Sequence, residues 1–146
     1  CRWWLYFLGG VGGGFVRVKR GGLRRGLGGA VISMFETRGF RVVRARTLLM
    51  SETLVREHYL HLADQPFFDE IKAYMMSGPV LAMVMEAPNA VEAARQILGA
   101  TDPMKAAPGT VRGSLATSVR RNLAHAADSR DAALQEMERF FGSGVE

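Results

Sequence analysis

Pro79-Val80-Leu81-Ala82-Met83-Val84-Met85-Glu86-Ala87 is an almost unbroken apolar run of strand length. A run of this kind reads as a strand buried on both faces, and so as the centre of a sheet. On its N-terminal side, Arg41 to Leu49 sets β-branched residues against arginines in near alternation, the pattern of a half-exposed strand. Further back, Phe15-Val16-Arg17-Val18-Lys19 reads as a third strand, with Arg17 pointing into or across the sheet, an unfavourable place for a charge.

Helical signals lie between the strands. Leu27, Ala30, Val31, Met34 and Phe35 fall at helical spacing, with Gly39 placed just past the end. Ser51 is placed to N-cap a short helix reaching Tyr59, and Pro66-Phe67-Phe68 opens another that runs through Met75. Asn89 with Glu92 has the spacing of a capping box for the next helix, which Gly99 ends. From Thr101 to Val119 no periodicity persists, and Pro103, Pro108, Gly109 and Gly113 mark a long loop. Val119 and Leu123 then suggest a strand end, followed by a final helix from Ser129 to Phe141. The order β-α-β-α-α-β-α-loop-β-α predicts an α/β ferredoxin-like sandwich, a four-stranded antiparallel sheet flanked by helices.

The chain has 146 residues, enough for one domain with one sizeable core. Its single Cys1 excludes a disulfide framework and any multi-cysteine metal site, which suits a reducing, cytoplasmic setting. The net charge of +5 is uneven. Residues 1–46 carry ten Lys/Arg against the single acid Glu36, and residues 47–146 carry nine against thirteen acids. Arg17, Lys19, Arg20, Arg24 and Arg25 form a basic segment able to attract phosphates of any kind. The apolar opening Cys1-Arg2-Trp3-Trp4-Leu5-Tyr6-Phe7-Leu8 is far shorter than the roughly 20 residues a membrane span needs, so no membrane partner is expected. No Ala-x-Ala-like cleavage site follows it, and residues 1–14 are read as a non-core extension or fragment edge before a domain at 15–146. Gly12-Gly13-Gly14 lacks the Gly-Lys-Ser/Thr that completes a P-loop.

Chemistry concentrates in Arg121-Asn122-Leu123-Ala124-His125-Ala126-Ala127-Asp128-Ser129. A lone histidine in a half-buried strand is ordinarily a hydrogen-bonded structural residue. Glu136 changes that reading, because it falls between Ala133 and Phe140 on the apolar stripe of the last helix, where a carboxylate needs a partner. Accepting from one ring nitrogen of His125, it would fix the tautomer and leave the other nitrogen as a nucleophile. Arg95, at the margin of its helix's apolar stripe, and Arg112, between Gly109 and Gly113 where backbone can approach a ligand, are candidate phosphate clamps. Phe67 and Tyr59 suit either the core or a nucleobase. His58 and His61 share no metal-ligand spacing with His125 and read as surface or local structural residues.

From about Phe15 to Phe141 the chain resembles nucleoside diphosphate kinases. The resemblance rests on Arg25-Gly26-Leu27, Phe35-Glu36-x-Arg38-Gly39-Phe40, Glu57-His58-Tyr59, Pro66-Phe67-Phe68, Ser77-Gly78-Pro79-Val80, Leu98-Gly99-Ala100-Thr101-Asp102-Pro103, Pro108-Gly109-Thr110-Val111-Arg112-Gly113 and Arg121-Asn122-x-x-His125. It implies a ping-pong transfer of the terminal phosphate of a nucleoside triphosphate to a nucleoside diphosphate through phosphohistidine. By position it makes His125 the phosphorylated residue, Glu136 its orienting carboxylate and Tyr59 a ring beside it. Lys19, Arg95, Thr101 and Arg112 fall at phosphate-binding positions, Asn122 and Lys19 at the sugar hydroxyls, and Phe67 against the base. It also implies Mg2+ carried mainly by the nucleotide phosphates, with few direct protein ligands and no metal-binding residue singled out, and a homo-oligomer, tetramer or hexamer. The end at Glu146 reads as lacking the longer C-terminal tail of many eukaryotic members.

Four places depart from the family pattern. Lys-Pro-Asp-Ala is here Lys19-Arg20-Gly21-Gly22, Arg-Gly-Asp is Arg112-Gly113-Ser114, Gly-Arg-Asn is Arg120-Arg121-Asn122, and His-Gly-Ser-Asp is His125-Ala126-Ala127-Asp128. These departures and the basic N-terminal third sustain an alternative, a catalytically weak homologue that binds nucleotides or nucleic acid as an interaction protein. Nucleic acid is the less favoured partner, since nucleotide sites are basic too.

Overall fold

The computed structural model describes residues 12–142, so the apolar opening at residues 1–8 lies outside the described residues. The sheet has the order β2-β3-β1-β4, with every neighbouring pair antiparallel. Its strands are β1 (Gly12–Val18), β2 (Arg41–Leu48), β3 (Val80–Ala87) and β4 (Ala124–Ala126). The apolar run from Val80 is the inner strand its composition requires, with Phe15 opposite Val84 on one side and Thr47 opposite Leu81 on the other. This is the expected four-stranded antiparallel sandwich.

Among the described residues seven α-helices cover the sheet: α1 (Arg20–Arg24), α2 (Gly28–Thr37), α3 (Glu52–His58), α4 (Phe68–Met76), α5 (Ala90–Leu98), α6 (Val111–Leu115) and α7 (Arg130–Phe141). Strand periodicity divides the core in two. Val16, Val18, Met83, Met85, Ala124 and Ala126 face α2 and α5, where they meet Val31, Phe35, Ala94 and Leu98. Phe15, Ala82 and Val84 face α3, α4 and α7, where they meet Val55, Phe68, Met137 and Phe140. Arg17 shares this second face and is 2% exposed, so the expectation that it points into the sheet holds.

Several local readings are corrected. Gly12, Gly13 and Gly14 belong to β1, opposite Ala87, Glu86 and Met85, and are no extension. Val119 lies in an exposed turn, and the last strand is only the three residues centred on His125. Leu123 precedes that strand with φ of +71°, a left-handed conformation a branched side chain rarely adopts. Ala30 is exposed, leaving Val31 and Phe35 as the buried face of α2. Asn89 stands at the N-cap of α5, but with φ of +50° its side chain makes no capping bond. Two short helices, α1 and α6, occupy segments without helical periodicity. They are too short to show one, and the Thr110 side chain starts α6 by accepting from Gly113 N.

Ser51 and Ser129 do cap α3 and α7, accepting from Leu54 N and Ala132 N. Gly39 follows α2 with φ of +98°, and Phe40 N closes the turn on the Phe35 carbonyl.

Candidate active site

β4 is an edge strand, so a side chain at its centre is reachable from both sides of the sheet margin. His125 occupies that position, opposite Arg17 in the β1–β4 register. Its Nε2 lies 2.7 Å from Glu136 Oε1. Glu136 projects from the buried face of α7, with Ala133, Met137 and Phe140, and is 7% exposed. A carboxylate accepts, so Nε2 carries the ring proton and Nδ1 presents a lone pair. The expected pairing is present, and Ser129 fixes where α7 starts and therefore where Glu136 lands. Glu136 Oε2 is buried without a hydrogen-bond partner among the described residues.

His125 lines two cavities. One, of about 1040 Å3, also holds Arg95, Thr101 and Arg112. Arg112 is fixed by donating from Nη1 to the Gly99 carbonyl and from Nη2 to the Ala124 carbonyl, both at 2.9 Å. It thus satisfies backbone acceptors on the loop and on β4. Burial first, then neighbouring Arg95, lower its guanidinium from the ordinary value. The glycines here serve internal packing. A Cβ on Gly99, at φ +81°, would sit 2.4 Å from Thr110 Oγ1, and one on Gly113 would sit 2.1 Å from the Ala107 carbonyl oxygen. The close approach expected between a ligand and the backbone near Arg112 is, at Gly113, taken by the loop itself.

The second cavity, of about 710 Å3, is lined by Lys19, Tyr59, Glu136, His58 and Arg17 as well as His125. Lys19 follows β1 at the N-cap of α1 and donates from Nζ to Asn122 Oδ1 at 2.7 Å, while its backbone N–H bonds to Leu123 O at 2.8 Å. Burial above all, then the charges of Arg17 and Arg112, pull the Lys19 ammonium down to about 8. Asn122 is 4% exposed. Tyr59 donates to Met75 Sδ at 3.6 Å and accepts from Arg17 Nη2 at 3.4 Å. Phe67 is 46% exposed, at the N-cap of α4, and lines neither cavity.

His58 was missed by sequence reasoning. Its ring packs edge-on to that of His125, with centroids 6.2 Å apart, and against Tyr59 and Phe140. Arg139 Nη1 donates to His58 Nδ1 at 2.9 Å, so Nδ1 is an acceptor and the proton sits on Nε2. Burial first, then Arg17 and Arg139, hold His58 far below the ordinary histidine range, and it stays neutral. Its place beside Tyr59 in Glu57-His58-Tyr59 was the available signal. His61 lines the second cavity's wall near Tyr59.

Among the described residues no group of three His, Cys, Asp or Glu side chains converges. Asp128 and Glu92 line the first cavity. No helix of the described residues is long and apolar enough to cross a membrane.

The family model for nucleoside diphosphate kinase matches residues 14–144. The chain is 46% identical over 127 residues to nucleoside diphosphate kinase A2 of Xenopus laevis, covering 87% of this chain and 82% of that protein. It is 43% identical over 129 residues to a nucleoside diphosphate kinase of Pelotomaculum thermopropionicum, covering 88% and 87%. Among solved structures it is similar to the apo, cubic-form nucleoside diphosphate kinase of Encephalitozoon cuniculi. There the TM-score is 0.85 at 33% identity, over 92% of this chain and 91% of that one.

Proposed function

This chain belongs to the nucleoside diphosphate kinase family, and we propose that it passes the terminal phosphoryl group of a nucleoside triphosphate to a nucleoside diphosphate by way of His125. The observation that carries the reading is the His125 Nε2–Glu136 Oε1 contact of 2.7 Å, which leaves Nδ1 unpaired on a residue that shares a cavity with Arg95, Thr101 and Arg112.

In the first half-reaction the Nδ1 lone pair attacks the terminal phosphorus. A P–N bond forms, the bond from phosphorus to the bridging oxygen breaks, and the diphosphate leaves. Nε2 keeps its proton throughout, and the Glu136 carboxylate offsets the positive charge that the ring acquires. In the second half-reaction a terminal oxygen of the incoming diphosphate attacks, P–O forms and P–N breaks. Transfers of this kind need positioning and positive charge more than covalent help from other groups. Arg95, Arg112 and Thr101 bind the phosphates. Lys19 and Asn122, already joined at 2.7 Å, hold the sugar hydroxyls, and Lys19 adds charge beside the phosphates. Tyr59 walls the histidine side, and the exposed Phe67 ring offers its face to any base.

Mg2+ fits this donor set. One or two carboxylates with nucleotide phosphates is what the ion takes, and Asp128 and Glu92 line the right cavity. Bound there, it would neutralise charge on the phosphate oxygens. A cytoplasmic setting, and assembly into a tetramer or hexamer with closed symmetry, belong to the same reading. Light scattering that finds only the 16.0 kDa monomer would remove the oligomer from it. The alternative of a catalytically weak binding protein is not favoured, since relatives at 43% to 46% identity bear the kinase's name.

Incubation with γ-labelled ATP should label the protein in an acid-labile, alkali-stable form, and His125→Ala should abolish the label. Label that survives the substitution would overturn the assignment.

A further inference from the structure

On the far side of Lys19 lies a groove of about 570 Å3 that shares only this lysine with the residues assigned to phosphoryl transfer. Lys19, Arg20, Arg24, Arg25, Arg120 and Arg121 line it, and among the described residues no carboxylate does. Two segments about a hundred residues apart make its walls. One is α1 with the turn after it, and the other is the stretch from Thr117 to Leu123. The Lys19 N–H to Leu123 O bond stitches them together.

None of the five arginines is in an ion pair with any described residue. Arg25 donates to the Leu115 carbonyl at 2.6 Å, and the Arg20 guanidinium lies over the Tyr74 ring at 5.3 Å. Arg24, Arg120 and Arg121 spend no side-chain hydrogen bond within the described residues. Six like charges in one concavity repel one another and focus a positive field, which a multivalent anion relieves.

The charge here also exceeds what the family pattern supplies. Arg20 stands where that pattern has proline, Gly21 where it has aspartate and Arg120 where it has glycine. Each change adds a positive charge or removes a negative one, and all three positions line this groove.

We propose that this groove is a second anion site, beside the nucleotide cavities, that binds a short chain of linked phosphates, an inorganic oligophosphate. Guanidinium forks match phosphate oxygens in pairs. Among the described residues the one aromatic ring at the groove, Tyr74, already carries Arg20 over its face, so none of them is arranged to stack a run of bases. Phosphate, and not nucleobase, is what the lining recognises.

The test is calorimetric titration of the full chain with inorganic tripolyphosphate, without added metal, in saturating ADP. Tripolyphosphate should still bind, and binding should weaken steeply as salt rises. The exposed pair Arg24→Ser with Arg120→Ser should weaken it about tenfold or more, with ADP affinity, turnover and thermal midpoint in phosphate-free buffer unchanged. Displacement of all tripolyphosphate by ADP would overturn the proposal, as would undiminished binding in the double variant. So would arginine-dependent binding of a thymidine oligonucleotide without binding of tripolyphosphate. The comparison of wild type with variant can also be run without ADP, so failure of His125 labelling and failure of this site are read separately.

Discussion

Arg17 stands directly opposite His125 across the β1–β4 pair, is 2% exposed, and has no carboxylate of the described residues within ion-pair distance. Its contacts are weak ones: Met50 Sδ at 3.9 Å, the Tyr59 hydroxyl at 3.4 Å and the Phe140 ring at 5.6 Å, with Nε unpartnered. This charge lowers both Lys19 and His58. It is the point where the active site works against the stability of the core.

Arg17→Met should therefore stabilise the fold. Replacing a buried, unpaired charge by an apolar side chain of similar length gains about 1–3 kcal/mol. Denaturant titration should show a higher midpoint at unchanged slope, and the alkaline limb of nucleotide binding should move to higher pH as Lys19 is released from a neighbouring charge. A lower midpoint would show that the contacts of Arg17 outweigh its desolvation.

Lys19 gives a pH dependence with a definite sign. Its ammonium is lowered from 10.5 to about 8 in the folded chain, so between those values the unfolded chain holds more protons. Stability should rise with pH across that window, and the cost of burying the charge is fully present below it. Phosphate binding should run the other way, weakening as pH rises through about 8 and the charge is lost. Unfolding midpoints and nucleotide affinities measured from pH 7 to 10.5 check both signs, and Lys19→Met should flatten both curves.

Glu136→Ala should lower kcat by about one to two orders of magnitude, by analogy with the loss of a carboxylate that orients a metal-bound imidazole. The nucleotide KM should change little, because Arg95, Thr101 and Arg112 lie in the other cavity. Glu136→Gln should recover part of the loss, since its amide oxygen can still accept from Nε2. A variant that loses KM and kcat in equal measure would contradict an orienting role.

Gly99→Ala should destabilise the fold by more than about 1 kcal/mol, because the position combines a left-handed φ with the close approach of the Thr110 side chain. The Gly99 carbonyl also holds Arg112 Nη1. Nucleotide KM should therefore rise while phosphohistidine still forms at saturating ATP, which rapid-quench labelling can read.

By itself the sequence determined the sheet and one site contact. The apolar run at Val80–Ala87, the alternation at Arg41–Leu48, the caps at Ser51 and Ser129 and the stop at Gly39 are local signals. Each reflects periodicity or a hydrogen bond spanning a few residues, and each appears in the structure. His125 with Glu136 was legible for the same reason, because a carboxylate on an apolar helical stripe one element past a histidine has few other partners. Juxtaposition across the fold was decided only by tertiary structure. His58 meets His125 because α3 and α7 pack on one face of the sheet, and Lys19 meets Asn122 because β1 lies beside β4. Arg112 meets the Ala124 carbonyl because β4 is the edge of the sheet formed by the described residues. The same chain crossing gathers Arg20, Arg24 and Arg25 with Arg120 and Arg121. Residues that far apart are brought together by strand order and helix packing, which no window of local sequence contains.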